Sequence, residues 1–151
     1  MHCMSDTLAF MIADTSRLLR RSFDERTRVI GITGAQWRLL FTVSRNEGQN
    51  QGATAELLEV EPITLCRMID RMEEAGMVER RPDPNDRRAW RLYLTDKSRP
   101  LIGQLRELGD QLMEQALQGV AADDRQRLWD ILNTIRTNLS AGADQQEATH
   151  G

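Results

Sequence analysis

The order of elements between Thr54 and Thr95 constrains this chain most. The run Thr54-Ala-Glu-Leu-Leu-Glu reads as a short helix ending near Val60. Pro62 suits the first turn of a second helix. From there Leu65, Ile69, Met72 and Ala75 make an apolar stripe that Gly76 stops. Met77 to Arg81 then reads as a strand, Pro82 to Asp86 as a turn, and Ala89 to Leu94 as a second strand. In that second strand Trp90, Leu92 and Leu94 fall on one side and Arg91 and Tyr93 on the other. Two helices with a sharp break between them, followed at once by a hairpin, make a helix-turn-helix with a wing. Such a combination is suited to reading DNA.

The flanks are helical. Ser5 can cap a first helix, with Leu8, Ile12, Leu19, Phe23 and Ile30 recurring near a helical period up to Gly31. Thr33-Gly34-Ala35-Gln36 is a capping box opening a helix that carries Trp37, Leu40 and Phe41 and stops by Asn46 or Gly48. Thr95 caps a long helix, with Pro100 near its start and a stripe of Leu101, Leu105, Leu108, Leu112 and Ala116 to about Gly119. At about 1.5 Å per residue it would be roughly 30 Å long. A narrow stripe of that length needs a partner, which either a second copy of the chain or an ordinary intramolecular bundle would supply. Asp123 or Asp124 caps a last helix with Leu128, Ile131, Leu132, Ile135 and Leu139, and the small, polar tail after it is expected to be disordered.

The expected class is therefore mainly α with a small β-wing (α+β). A helical segment over 1–32 precedes a winged helix-turn-helix over 33–95. Further helices span 96–139, and the tail spans 140–151.

Composition excludes several functions. Cys3 and Cys66 form no CxxC, and His2 and His150 lie near the chain ends, so no metal site and no disulfide framework is expected. No glycine-rich phosphate loop or nucleophile elbow occurs, and no enzyme activity or cofactor is expected. No apolar run is long enough to span a membrane, and MHCMSDTLAF lacks the pattern of a signal peptide, so a cytoplasmic protein is expected. The net charge of −3 argues against nucleic acid, but its distribution does not. From Arg80 to Arg99 seven basic residues face three acids.

On the second helix of the pair, Arg67 points away from the apolar stripe and Thr64 lies one turn before it. Recognition helices dock their N-terminal turns in the major groove. There an Arg fork matches guanine, and a Thr hydroxyl reaches a base or phosphate. Pro62 and Ile63 lie nearest to them, and Arg71 follows one turn later. The plainer reading makes Arg67 and Arg71 the wet face of an amphipathic helix.

In the wing, Asp86 and Arg88 are two apart, on one side of an extended chain, and can pair to brace the tip. Arg87 then points the other way, suited to a narrow minor groove. Arg91, with Arg80 or Arg81, is placed to meet phosphates. The plainer reading is a solubilising turn on an edge strand. Cys66 is expected to be a small, semi-buried residue rather than a redox switch. Trp37 and Trp90 are expected in the core.

The stretch EPITLCRMIDRMEEAGMVERRPDPNDRRAWRLYLT, with ITGAQWRLL upstream, resembles the MarR family of winged helix-turn-helix regulators, closest to its SlyA-like branch. The likeness runs from about Ser5 to Leu139. It rests on the Asp-x-Arg wing (Asp86, Arg88), the Leu94-Thr95 pair after it and DRMEEAGMVER. It implies an obligate homodimer whose first and last two helices intertwine. It further implies that Thr64 and Arg67 contact bases, that Arg87 enters the minor groove, and that Asp86 and Arg88 form the supporting pair. Relatives commonly bind small aromatic or phenolic ligands in a cleft between the dimer base and each DNA-binding lobe, and others sense oxidants through cysteine. Two departures stand out. GQNQGATAELLEV is irregular, so Gly52 and Thr54 should weaken the supporting helix. Ser98 replaces a common Gly, which should affect helix entry alone.

The expected function is a homodimeric transcription regulator, acting as a repressor on a pseudo-palindromic stretch of double-stranded DNA and modulated by a small aromatic ligand. The rival is a winged-helix homodimer that contacts proteins and not DNA.

Overall fold

The computed structural model describes residues 4–148, and side chains over 7–142. His2, Cys3, His150 and the Ser5 side chain lie outside the described residues. The chain runs α1 (Met4–Arg28), α2 (Gly34–Arg45), α3 (Gln51–Leu58), α4 (Pro62–Glu74), β1 (Val78–Pro82), β2 (Trp90–Leu94), α5 (Ser98–Ala116) and α6 (Ala122–Ala148). This is the mainly helical winged fold expected. Two compact units divide it, Met1–Leu112 and Met113–Gly151.

The first unit holds the core. Leu39 and Leu40 of α2, Leu65 and Ile69 of α4, Leu92 of β2 and Leu105 of α5 are essentially inaccessible to water. Each lies on the apolar stripe of its own element, so one cluster closes helix, helix and hairpin together. Phe23 of α1 packs edge-on to Trp37, with ring centroids 4.8 Å apart. The Trp37 indole donates to Asp24 at 2.6 Å. The predicted capping box is present: Gln36 N–H donates to Thr33 Oγ1 at 3.3 Å, and Thr33 N–H donates to Gln36 Oε1 at 2.9 Å.

Several boundaries differ from the sequence reading. α3 begins at Gln51, because Asn50 Oδ1 caps it by accepting from Ala53 N–H at 2.7 Å. Thr54 does not weaken α3: its buried hydroxyl donates to the Asn50 carbonyl at 3.1 Å. The irregular residues before α3 also have a task. Gly48 donates its N–H to Leu92 O at 2.9 Å, Leu92 N–H donates to Gln49 O at 3.1 Å, and Asn50 bridges Arg91. This segment thus lines the second edge of β2, whose first edge pairs antiparallel with β1 from Val78↔Leu94 to Pro82↔Trp90. Glycine suits position 48 because the backbone there is left-handed and the space beside it is tight. Its φ is 86°, and a Cβ would stand 3.3 Å from Tyr93 Oη.

Trp90 is 45% exposed and does not join the core, because it lies at the outer end of the hairpin, opposite Pro82. The α5 entry is reinforced by Ser98. Its Oγ accepts from Thr95 N–H at 3.1 Å, while Thr95 Oγ1 accepts from Ser98 N–H at 3.3 Å.

In the second unit Arg125 donates to the carbonyls of Val120 and Leu117, both at 3.0 Å, and meets Glu114 at 3.1 Å. Asp123 and Asp124 sit inside the first turn of α6 rather than capping it, and there they favour the positive helix end. The helix does not end at Leu139 as expected but continues to Ala148. Its last stretch is rich in Ala, Gln and Glu, good helix formers that override the single Gly142. Residues 149–151 of the expected tail lie outside the described residues. Among the described residues no helix is long and apolar enough to cross a membrane.

Candidate nucleic-acid interface

Pro62 occupies the first turn of α4, and Glu61 precedes it without a side-chain cap. The apolar stripe Leu65, Ile69 and Met72 is buried, which turns Pro62, Ile63, Thr64, Arg67 and Arg71 to solvent together. This is the grouping the sequence predicts.

The wing differs from that expectation. Its turn is braced by an Asp83–Arg91 ion pair and not by Asp86–Arg88. Arg91 Nε donates to Asp83 Oδ2 at 3.0 Å, and the Asp83 side chain is only 12% exposed. Asp86 Oδ1 instead accepts from the backbone N–H of Arg88 at 2.9 Å. An extended chain would set Asp86 beside Arg88, but Ala89 N–H donates to Asp86 O at 3.1 Å and folds residues 86–89 into a turn. Asp83 also accepts from Asn85 N–H at 2.8 Å. That bond, then the Arg91 guanidinium, holds its carboxyl below the usual range.

Arg91 is therefore engaged within the hairpin, where its expected phosphate role would need the Asp83 pair to open. Arg81 stands directly across the ladder from Arg91. Two like charges there would repel. Each has its own acid: Arg81 pairs with Glu79 at 3.2 Å and lies over the Tyr93 ring, 4.0 Å from its centroid.

Arg80 is also not a phosphate arm. Its side chain is 14% exposed and ties β1 to two helices. Nη1 donates to Asp70 and Glu73, Nη2 to the Cys66 carbonyl at 3.1 Å, and Nε to Gln51 Oε1 at 3.2 Å. Burial alone would lower the pKa of the guanidinium, but the Asp70 hydrogen bond and charge, with Cys66 and Glu73, outweigh it and raise the pKa. Alternation could have found this residue, since Arg80 shares the inward side of β1 with buried Val78. Cys66 is half-buried as expected, with Sγ 3.5 Å from Arg80 Nη2. Arg80→Met is expected to cost about 1–3 kcal/mol, the scale of hydrogen bonds to charged groups. Urea denaturation checks this, and a loss below about 0.5 kcal/mol would show that the contacts carry no weight.

The consequence for charge is direct. Asp70, Glu73, Glu79 and Asp83 are held by Arg80, Arg81 and Arg91. Among the described residues the side chains of Arg67, Arg71, Arg87 and Arg88 make no ion pair, and all four are exposed. Two free cations thus lie on the outer face of α4 and two at the wing turn.

A core-braced α3–α4 pair with a hairpin tied to it by Arg80 defines a winged helix-turn-helix protein. The MarR family model matches residues 32–90, which span that region. Wild-type apo MarR from E. coli is similar over 85% of this chain and 95% of its own, with 27% identity and a TM-score of 0.77. A Cys-to-Ser variant of E. coli MarR complexed with operator DNA is 27% identical, with a TM-score of 0.72 over 85% of this chain and 93% of that one. A MarR regulator from Methanosarcina mazei Go1 has a TM-score of 0.79 over 88% of this chain and 96% of its own; at 22% identity it bears on the fold alone. Residues 32–90 thus match the MarR family model, and the whole chain has the fold of solved MarR regulators.

Proposed function

We propose that the protein is a homodimeric transcription regulator that binds a pseudo-palindromic operator as a repressor and is modulated by a small ligand. The observation that carries DNA binding is the separation of charge: four unpaired arginines occupy the two prongs of the wing and helix, while the neighbouring acids are neutralised internally. Arg67 with Thr64 reads bases in the major groove, Arg87 enters the minor groove, and Arg71 and Arg88 meet phosphates. The operator-bound relative supports the same use of this fold.

Self-association is supported by apolar surface within each unit. In α1, Leu8, Phe10, Met11 and Leu18 are exposed, and in α6 Leu128, Trp129, Ile131 and Leu132 are exposed. So many exposed apolar side chains on two helices are what self-association would cover. Two-fold pairing would place recognition helices about 10 bp apart on one face of the duplex. The rival protein-contact reading draws on the net charge of −3 and on the irregular Gln49–Thr54 segment; against it, α3 is regular and capped, and the acids beside the two prongs are held by arginines.

A cavity of about 440 Å³ is lined by Arg20, Trp37, Arg38, Phe41, Arg45 and Glu59, among others. Three cations against one acid, beside two aromatic rings, suit a small anionic aromatic ligand. Such a ligand regulates only by binding the DNA-competent and incompetent arrangements unequally.

The test is a light-scattering mass measurement followed by an anisotropy titration against a duplex selected from a random pool. A dimer is expected, with affinity falling roughly 10³-fold or more between 50 and 200 mM salt for six or more phosphate contacts. A monomer, or affinity indifferent to both salt and sequence, would refute the reading.

A further inference from the structure

Ile63 is 61% exposed in the first turn of α4. A lone exposed isoleucine is usually unremarkable. This one stands among Pro62, Thr64 and Arg67 on the outward face, while Leu65, Ile69 and Met72 serve the core. Local propensity does not explain it, since a β-branched residue loses rotamer freedom in a helix. What it offers is a branched aliphatic surface beside a hydroxyl and an unpaired guanidinium.

We infer that Ile63 is a specificity-determining residue that reads the 5-methyl group of a thymine in each half-site. The inference rests on the proposed docking of α4 in the major groove. Thymine is the base that presents a methyl group there, and apolar side chains are its natural readers. Ile63 lies four residues before Arg67, so their Cα atoms are separated by about 6 Å along the helix. At about 3.4 Å per base step, the thymine met by Ile63 and the guanine met by Arg67 lie within about two base pairs. Thr64, between them, is free to take a phosphate or a base edge. A half-site would thus contain a thymine close to a guanine, the thymine recognised by its methyl and not by a hydrogen bond.

Uracil differs from thymine only in lacking that methyl. A duplex selected by the protein from a random pool is resynthesised with each thymine replaced singly by uracil, and binding is followed by anisotropy. For the parent chain, uracil at one position per half-site is expected to weaken binding about fourfold, the effect of one buried methyl. Uracil at the remaining thymines should change nothing. Ile63→Ala, which removes the contact from both subunits, should bind the thymine duplex roughly 16-fold more weakly, about as weakly as the parent binds a duplex with uracil at that position in both half-sites, and should not distinguish thymine from uracil. The side chain is exposed, so a circular dichroism melt of Ile63→Ala should match the parent's. Uracil tolerated at every thymine by a parent that still selects a sequence would overturn the methyl contact and leave DNA binding intact. An undiminished uracil penalty in Ile63→Ala would also overturn the assignment to Ile63. A parent that enriches no duplex would overturn the DNA reading, and this inference with it.

Discussion

A chain carrying Arg67→Ala and Arg87→Ala together is expected to lose roughly 100-fold or more in affinity for its selected duplex. The estimate comes from about 1–3 kcal/mol for one bidentate base contact plus the loss of a minor-groove arginine. The single variants should differ in kind. Arg67→Ala should relax the preference for guanine with little change in salt dependence, because it removes a base contact. Arg87→Ala should weaken binding chiefly where the flanks are A·T-rich. Arg88→Ala, at a phosphate in each subunit, should weaken all sequences alike and reduce the salt slope by about one per subunit, about two for the dimer. If the double variant binds as the parent does, these arginines are only a wet surface and the interface lies elsewhere. The residues are far enough apart in function for addition to be the default. A cost for the pair below the sum of the singles would mean that both prongs fail when either is lost.

Leu65→Ala should produce the largest loss of stability, about 2–5 kcal/mol by urea denaturation. Leu65 is fully buried and belongs to the helix that presents Thr64 and Arg67 on its other side. Its side chain packs where α4 meets the remaining core, so truncation leaves a cavity as well as losing transfer energy. A small domain has only about 5–15 kcal/mol in reserve, and DNA affinity should fall with the folded fraction. The expected signature is weak binding that recovers when the chain is stabilised, unlike Arg67→Ala, whose deficit should persist in a fully folded protein. A cost under about 1 kcal/mol would contradict tight packing around Leu65.

The outward face of α4 was legible because the stripe Leu65, Ile69, Met72 fixes which way Arg67 must point; helical period leaves no other choice once one side is buried. The capping box at Thr33 and the stop at Gly76 were legible for a similar reason, since each depends on residues close in sequence. The wing was less so. Whether Asp83 or Asp86 would take an arginine depended on where the chain leaves the extended state, and the turn at Asp86–Ala89 moved the pair to Asp83 and Arg91. Trp90 followed the alternation of β2, yet it sits beyond the reach of the core and stays wet.

The amino-acid sequence by itself determined the order of helices and strands, the buried stripe of each helix and hence the outward residues of α4, because these follow from local periodicity and from capping chemistry within a few residues. The tertiary structure alone decided which arginines are free. Arg80 meets Asp70, ten residues away, and Gln51, twenty-nine away, and only the folded chain brings such partners within hydrogen-bond distance. Charge pairing is a matter of ångströms in space, and the linear order of residues does not record that distance.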